Sequence, residues 1–327
     1  MRILIVKLSS LGDVVHSMPV VHDLLQAKPH ARIDWVVEPG FAPLVRRVEG
    51  IAGVIECALR QWSKSWWSGQ TRAQWRAFRD RLEHEHYDAV LDLQGLTKSA
   101  LITRLATLAP AGKRYGLANR TEGASHEPPA RWLVDHPIRI EPRTHALDRA
   151  RVLAARALHY TPHGAPMFGL RRGIAPRTRT LVFVHGTSRD DKLWPEEHWI
   201  ELGRHLIAQG WRIALPHAGA AELERAERLQ SALGDAAEVW PPMTLDALVD
   251  RMSATEGVIG VDSGLSHIAV ALDLPHVQIY NFPTAWRTGP QASHGHAHQV
   301  SVEVSSQGQQ TTPDVEAVWS AWRQVAP

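Results

Sequence analysis

Cysteine is almost missing from this 327-residue chain. Cys57 stands alone, so no intrachain disulfide can form. Its apolar setting, Val54-Ile55-Glu56-Cys57-Ala58-Leu59, reads as that of a buried, inert thiol. No apolar run approaches the ~20 residues that a membrane-spanning helix needs. Arg2 is followed by only four apolar residues before Lys7, too few for a secretory signal, and a cytoplasmic location is expected. A full G-x-G-x-x-G is missing after the first strand of either half, which leaves dinucleotide binding poorly supported. Asp190 and Asp191 are adjacent and do not form Asp-x-Asp, so they are not read as metal ligands. Short-period repeats and low-complexity tracts are absent as well.

What is present fits a globular protein of two domains. Hydrophobic residues make up 44% and charged residues 21%, and each half is long enough to bury a core of its own. The net charge of +2 conceals an asymmetry. Residues 1–170 carry 23 Lys and Arg against 16 Asp and Glu, whereas residues 171–327 carry 13 against 18. An anionic partner is therefore expected on the first half. Of 13 tryptophans, four (Trp62, Trp66, Trp67 and Trp75) crowd into one basic segment.

The chain opens with a strand (2–7), a Ser/Gly turn and a helix to about Lys28. Strands at 33–37, 54–58, 87–92 and 114–117 follow, with helices near 43–48, 70–86 and 98–108 between them. Alternation of this kind favours a parallel, doubly wound sheet. Residues 118–143 read as loop, and the helix 145–158 leads to a Pro/Gly-rich stretch that contains the linker, 166–179. The pattern restarts at 180–184 and continues through strands at 212–215, 238–240, 258–261 and 276–280. The expectation is two Rossmann-like domains, 1–165 and 180–312, with their sheets facing across a cleft. A terminal helix, 313–327, carries Val315, Val318, Trp319 and Trp322 on one side and is expected to pack back towards the first domain.

Three turns carry chemistry. In open α/β sheets, ligands bind beyond the carboxyl ends of strands. The turn Lys7–Pro19 lies there, with Gly12 permitting tight backbone geometry and Asp13 in the first helical turn. Asp13 could equally serve the helix macrodipole alone, an effect of about 0.3–1 kcal/mol. The segment His185–Trp199 follows the first strand of the second half and enters a helix marked by Pro195 and Glu196-Glu197. Thr187 and Ser188 supply hydroxyls, and Lys192 is a compact cation suited to phosphate, unless it merely pairs with Asp190 or Asp191. In Gly257–Pro275 a buried strand runs into Asp262-Ser263-Gly264 and a helix. Free N–H groups and the helix dipole suit a diphosphate there, with Asp262 as a plain N-cap the alternative. His267, one turn on, is either part of that cradle or a satisfied core histidine.

Taken together, Ser9-Ser10-Leu11-Gly12-Asp13, Thr187–Pro195 and Asp262-Ser263-Gly264 with His267 resemble the lipopolysaccharide heptosyltransferases, type I in particular. These are inverting glycosyltransferases of the GT-B fold, and the resemblance spans nearly the whole chain. It implies transfer of L-glycero-D-manno-heptose from ADP-heptose to the first Kdo of Kdo-lipid A. Asp13 then matches the general base, and Lys192 matches the lysine facing the donor diphosphate. Thr187, Ser188, Asp262, Ser263, Gly264 and His267 match the donor site, Glu222 a glutamate for ribose hydroxyls, and Met243 the adenine edge. Ser188 stands where many relatives carry threonine, and it keeps the hydroxyl. No metal or other cofactor is implied, and no nucleic acid.

The acceptor is anionic, in keeping with the basic first half. Ser10, Gly12, Arg60, Lys64, Arg120 and Arg143 are its candidate contacts; each cation could equally be a solvated surface charge. Residues 60–79 interleave Trp62, Trp66, Trp67, Trp75 and Phe78 with Lys64, Arg72, Arg76 and Arg79. Such a segment suits peripheral contact with an anionic membrane surface, here the cytoplasmic face of the inner membrane, or packing against the first sheet. His294-Gly295-His296-Ala297-His298 has no acidic or cysteine partner nearby in sequence and reads as a flexible loop. Type II heptosyltransferase is the nearest alternative, and a nicotinamide-dependent oxidoreductase a more distant one.

Overall fold

Strands buried on both faces must be apolar along their length, and parallel strands need crossovers between them. The computed structural model, which describes residues 1–124, 126–304 and 311–326, meets both conditions twice. Its two units are Met1–Arg171 and Arg172–Pro327. The first contains β1 (Arg2–Val6), β2 (Arg32–Val37), β3 (Ile51–Glu56), β4 (Tyr87–Asp92), β5 (Leu108–Leu117) and β6 (His136–Ile138). They pair in the order β3-β2-β1-β4-β5-β6. The second contains β7 (Thr178–Val184), β8 (Arg212–Leu215), β9 (Ala237–Val239), β10 (Thr255–Val261), β11 (His276–Tyr280) and β12 (Gln299–Glu303). Their order is β12-β11-β10-β7-β8-β9, and every neighbouring pair in both sheets is parallel.

Numbered within its own unit, each sheet has the doubly wound order 3-2-1-4-5-6. The strand order reverses between β1 and β4 in the first and between β7 and β10 in the second. Loops diverge at such a switch point and leave a crevice at the carboxyl ends. The four central strands need apolar sequence because both faces are covered. Ile3–Val6, Ala89–Leu91, Leu181–Phe183 and Val258-Ile259 have no exposed surface.

Differences from the sequence reading fall at element ends and sheet edges. The opening helix breaks into Leu11–Ser17 and Pro19–Ala27, with Pro19 at the first position of the new helix. Helix Thr97–Leu105 ends before Ala106, which is extended, and β5 already begins at Leu108. The stretch 118–143, expected as loop, contains β6. An edge place tolerates Pro137, which has no N–H to give to a ladder. Gln299–Glu303, not expected as a strand, closes the other sheet with Val300 and Val302 half-buried.

The division between units falls inside the stretch read as linker. Glu49 N–H donates to the Gly169 carbonyl at 2.8 Å, and Arg171 N–H to that of Arg47 at 3.1 Å, holding the chain to the first unit. Arg172 then donates to the Asp273 carbonyl at 3.0 Å, within the second. The terminal helix Val315–Val325 sends its apolar face into the second unit's own core. Val318 and Trp322 are buried there, Trp322 in edge contact with Trp211 at 5.7 Å. In the same core Trp199 meets Phe183 in a tilted contact at 4.8 Å and Trp194 edge to face at 4.9 Å. In the first unit, Cys57 is fully buried, and burial pushes its thiol up to about 12, as an inert thiol requires.

Candidate active site

At the first unit's switch point, Gln94 stitches the two strand ends together. Its Oε1 accepts the N–H groups of Leu8 at 3.1 Å and Ser9 at 3.2 Å. Asp92, the last residue of β4, is buried. Its carboxylate accepts N–H bonds from Gln94 (2.9 Å) and Gly95 (3.2 Å) and the Ser99 hydroxyl (3.0 Å). Burial still pushes this carboxyl up to about 6.

Asp13 is the third residue of helix Leu11–Ser17. Its Oδ2 accepts the Ser10 N–H at 3.3 Å and the Ser10 hydroxyl at 3.1 Å. Asp13 thus does cap the helix. Capping leaves Oδ1 available: it lies 3.9 Å from Lys7 Nζ, and the side chain keeps 36% of its exposure. Burial pushes the Asp13 carboxyl up, but Lys7, Arg149 and the Ser10 bonds outweigh it and hold the group below the ordinary aspartate value. Lys7 is buried and donates to the Leu93 carbonyl at 3.1 Å. Arg149, on helix Ala146–Leu158, donates to Thr121 Oγ1 at 3.1 Å. It lines a small recess with Lys7, Asp13 and His16.

Arg60 comes close to this turn. Its Nε lies 3.0 Å from Glu38 Oε1, and its Nη2 donates to Ser9 Oγ at 3.5 Å. Gly12 is half-buried at the second helical position, and Lys64 is exposed beyond helix Leu59–Trp62. Arg120 and Arg143 occupy exposed loops that Asn119 ties together. The Asn119 amide donates to the Ile140 carbonyl and accepts the Ile140 N–H, both at 2.9 Å. Arg143 has φ 56° and donates its N–H to Glu122 at 2.7 Å.

The tryptophan-rich segment divides. Trp62, Trp75 and Phe78 pack with ring centroids 5.4–5.6 Å apart on the core side of helix Gly69–His84. Trp66 is 45% exposed and Trp67 90%. Arg72, Arg76 and Arg79 are also exposed. No helix among the described residues is long and apolar enough to cross a membrane.

In the second unit the switch-point crevice is built on Asp262. Lys192 Nζ donates to its Oδ2 at 2.6 Å, and His267 Nε2 lies 3.5 Å from its Oδ1. Thr288 donates to the same Oδ1 at 3.5 Å, and Thr187 donates to the Asp262 carbonyl at 3.1 Å. Burial pushes the Asp262 carboxyl up, but His267 and Lys192 outweigh it and hold it far below the ordinary value. The Asn281 amide donates to the carbonyls of Asp191 (3.1 Å) and Leu193 (2.9 Å), which fixes the loop that carries Lys192.

Gly264 begins the helix Gly264–Ala271, and its cap, Ser263, has a buried hydroxyl without a partner among the described residues. Ser188 is exposed in the facing loop. Glu222 Oε2 accepts the Ala218 N–H at 2.7 Å, and its carboxylate approaches Gly186 so closely that a Cβ there would collide with it. Met243 lies outside this hydrogen-bonded cluster, half-buried after the edge strand β9. The tract His294–His298, expected as a flexible loop, is a 3-10 turn running towards β12. His294 is buried, and His298 pairs with Asp273 at 2.7 Å.

Lys7, Asp92, Arg149 and Gly186 escaped the sequence reading as individual site residues. Lys7 and Asp92 did carry a signal, since each is a charge ending an otherwise apolar buried strand. Arg149 carried none; its helix shows only an amphipathic pattern.

The model of glycosyltransferase family 9 (heptosyltransferase) matches residues 75–319. Lipopolysaccharide heptosyltransferase 1 of Escherichia coli strain K12 is 41% identical over 287 residues, 86% of this chain and 88% of that one. Lipopolysaccharide heptosyltransferase 2 of Salmonella typhimurium is 26% identical over 317 residues, 90% and 86% of the two chains. E. coli heptosyltransferase WaaC has been solved with ADP and with ADP-2-deoxy-2-fluoro heptose. Both structures match at 36% identity over 100% of each chain, with TM-scores of 0.87 and 0.82.

Proposed function

This chain belongs to glycosyltransferase family 9, the heptosyltransferases, and on that premise we propose that it transfers L-glycero-D-manno-heptose from ADP-heptose to the first Kdo of Kdo-lipid A, with inversion. Its paired Rossmann-like units are those of a GT-B glycosyltransferase. The observation that carries the proposal is the division of chemistry between the two switch points. One holds a carboxylate kept ionised, Asp13, and the other a cation beside a helix N-terminus, Lys192.

The acceptor hydroxyl oxygen attacks the anomeric carbon as the bond to the diphosphate oxygen breaks, and ADP departs. The hydroxyl proton passes to Asp13. A carboxylate held below the usual range is a weak base for an alcohol, so the proton moves late, once the donor bond has largely broken. Most of the rate enhancement then comes from positioning and from donors aimed at the diphosphate.

Lys192, the N–H groups leading helix Gly264–Ala271, and the hydroxyls of Ser188 and Ser263 supply those donors, while Thr187, whose hydroxyl donates to the Asp262 carbonyl, lines the same donor site. No metal is needed to balance the leaving charge. Asp262 does not face the phosphates as a free anion, because Lys192 pairs with it. Glu222 takes the ribose hydroxyls and Met243 the adenine edge. Ser10, Gly12, Arg60, Lys64, Arg120 and Arg143 serve the acceptor. Trp66 and Trp67, with the cations around them, rest on the anionic cytoplasmic face of the inner membrane.

Incubation with ADP-heptose and Kdo-lipid A, followed by mass spectrometry of the lipid, tests the proposal. Addition of one heptose is expected. Transfer only to an acceptor that already bears heptose would assign the chain to type II.

A further inference from the structure

We propose that Lys7 and Arg149 are positioning residues of the transfer reaction: two buried cations that hold the Asp13 carboxylate in place, as an anion, at the mouth of the first switch point. The proposal rests on Asp13 being the base. It stands on packing. Lys7 follows β1 directly, is 6% exposed, and is fixed by its bond to the Leu93 carbonyl at 3.1 Å, so its ammonium cannot swing away into water. From that place it faces Asp13 Oδ1 at 3.9 Å. Arg149 approaches from a different element, helix Ala146–Leu158, is 8% exposed, and is fixed by Thr121. With Asp13 they line one recess, too small for a sugar, so their work is done on Asp13 and not on the acceptor.

A lysine and an arginine buried beside one another repel, and burial of each carries a desolvation cost that an apolar side chain would avoid. Asp13 and Asp92 act in the opposite sense on Lys7, and Arg149 in turn acts on Asp13. The polar groups facing Asp13 are Lys7 from the turn after β1, Arg149 from helix Ala146–Leu158, and Ser10, His16 and Ser17 from its own turn and helix. Asp92, from β4, acts on it through Lys7.

The physical consequence is a fixed protonation state and a fixed direction. The two cations and Ser10 leave Asp13 a narrow range of orientations, with Oδ2 engaged by the cap and Oδ1 facing Lys7 at 3.9 Å, beyond hydrogen-bond distance and open to the acceptor's proton. As a proton arrives from the acceptor, the cations lose part of their attraction to Asp13. That favours return of the proton to solvent once ADP has left.

The test is the acid limb of kcat/KM against pH in Lys7→Met, Lys7→Arg, Arg149→Met and Asp13→Asn. Loss of a cation beside a carboxylate raises the pH at which it protonates. Lys7→Met and Arg149→Met should each move the acid limb up by about one pH unit or more, and Lys7→Arg should restore it. kcat should fall while the Kd for ADP stays at the wild-type value. Asp92 also ionises near this range, so the Asp92→Asn background is measured in parallel, and the shift must persist there.

An acid limb that stays put in folded Lys7→Met and Arg149→Met overturns the proposal, whatever happens to their melting temperatures. Should Lys7→Met fail to fold, Arg149→Met against Arg149→Lys decides by the same criterion. Near wild-type turnover in Asp13→Asn would instead overturn the assignment of the base itself, which separates the two failures.

Discussion

Lys192 Nζ lies 2.6 Å from Asp262 Oδ2 and so ties the loop after β7 to the turn after β10. The two residues are 70 positions apart in the chain and meet because β7 and β10 are neighbours at the switch point. The pair solves a problem of charge. A carboxylate beside a diphosphate would repel it, but one paired with Lys192 organises a cation instead. Asp262 is the fixed end of the pair, with 13% of its side chain exposed, and Lys192 the end that reaches solvent, with 28%.

Lys192→Ala should weaken ADP binding and slow transfer. Loss of one hydrogen bond to a charged group suggests about 1.5–3 kcal/mol, with the lower end expected because water reaches the ammonium. Isothermal titration calorimetry with ADP measures this directly. Transfer by the wild-type enzyme should continue in excess EDTA. Abolition by EDTA with recovery on adding a divalent ion would show that Asp190 and Asp191, or the histidines near 296, hold a metal.

Asp13→Asn should leave ADP binding nearly intact and lower turnover by roughly 10²- to 10⁴-fold, the range of general acid–base catalysis. The amide oxygen can still accept from Ser10, so the helix cap is largely kept. Single-turnover kinetics together with a thermal melt separate the two roles. A stable variant with wild-type turnover would leave Asp13 as a capping residue.

The tryptophans should fall into two classes. Trp62→Ala removes a ring packed against Trp75 and Phe78 and should destabilise the fold by about 3–5 kcal/mol. Trp66→Ser with Trp67→Ser should leave the melting temperature close to wild type and weaken binding to anionic vesicles. On a deacylated, water-soluble acceptor this double variant should remain active. Arg60→Ala with Lys64→Ala should raise KM for Kdo-lipid A without changing KM for ADP-heptose. Equal losses on every substrate, with lower stability in all variants, would make the whole segment core packing.

Stability should fall on mild acidification. Burial pushes His185, His276 and His296 down to about 4, whereas an unfolded histidine titrates near 6.5. Between those values the unfolded chain binds more protons, so the histidines' contribution is whole above about pH 6.5 and is lost as pH falls towards 4. Asp92, raised to about 6, acts in the opposite sense: its contribution declines as pH rises from about 4 to 6. Three histidines outweigh one carboxylate, and the net is acid lability. Thermal melts across this range check it, and His276→Gln should flatten the curve.

Much of this was open to reading along the chain, for a physical reason. Central parallel strands are covered on both faces, so they must be unbroken apolar runs, and β1, β4, β7 and β10 are visible as such. The turns that follow them, carrying Asp13, Lys192 and Asp262, are local sequence whose position after a strand places them at a carboxyl end. Edge strands have no such demand: β6 and β12 are short, half-buried or interrupted by proline, and their sequences look like loop.

What tertiary structure alone decided is which distant charges meet. Asp13 could be a dipole partner or a base from sequence, and Lys192 could pair with Asp190 or Asp191. Folding sends Lys192 to Asp262 and surrounds Asp13 with Lys7 and Arg149, because strand order, and not chain order, sets which loops are neighbours. The tryptophans divided for the same reason. Their spacing shows aromatic content, but burial depends on how helix Leu59–Trp62, the turn after it and helix Gly69–His84 fold onto one another. Trp62 and Trp75 meet the core, and Trp67 meets solvent.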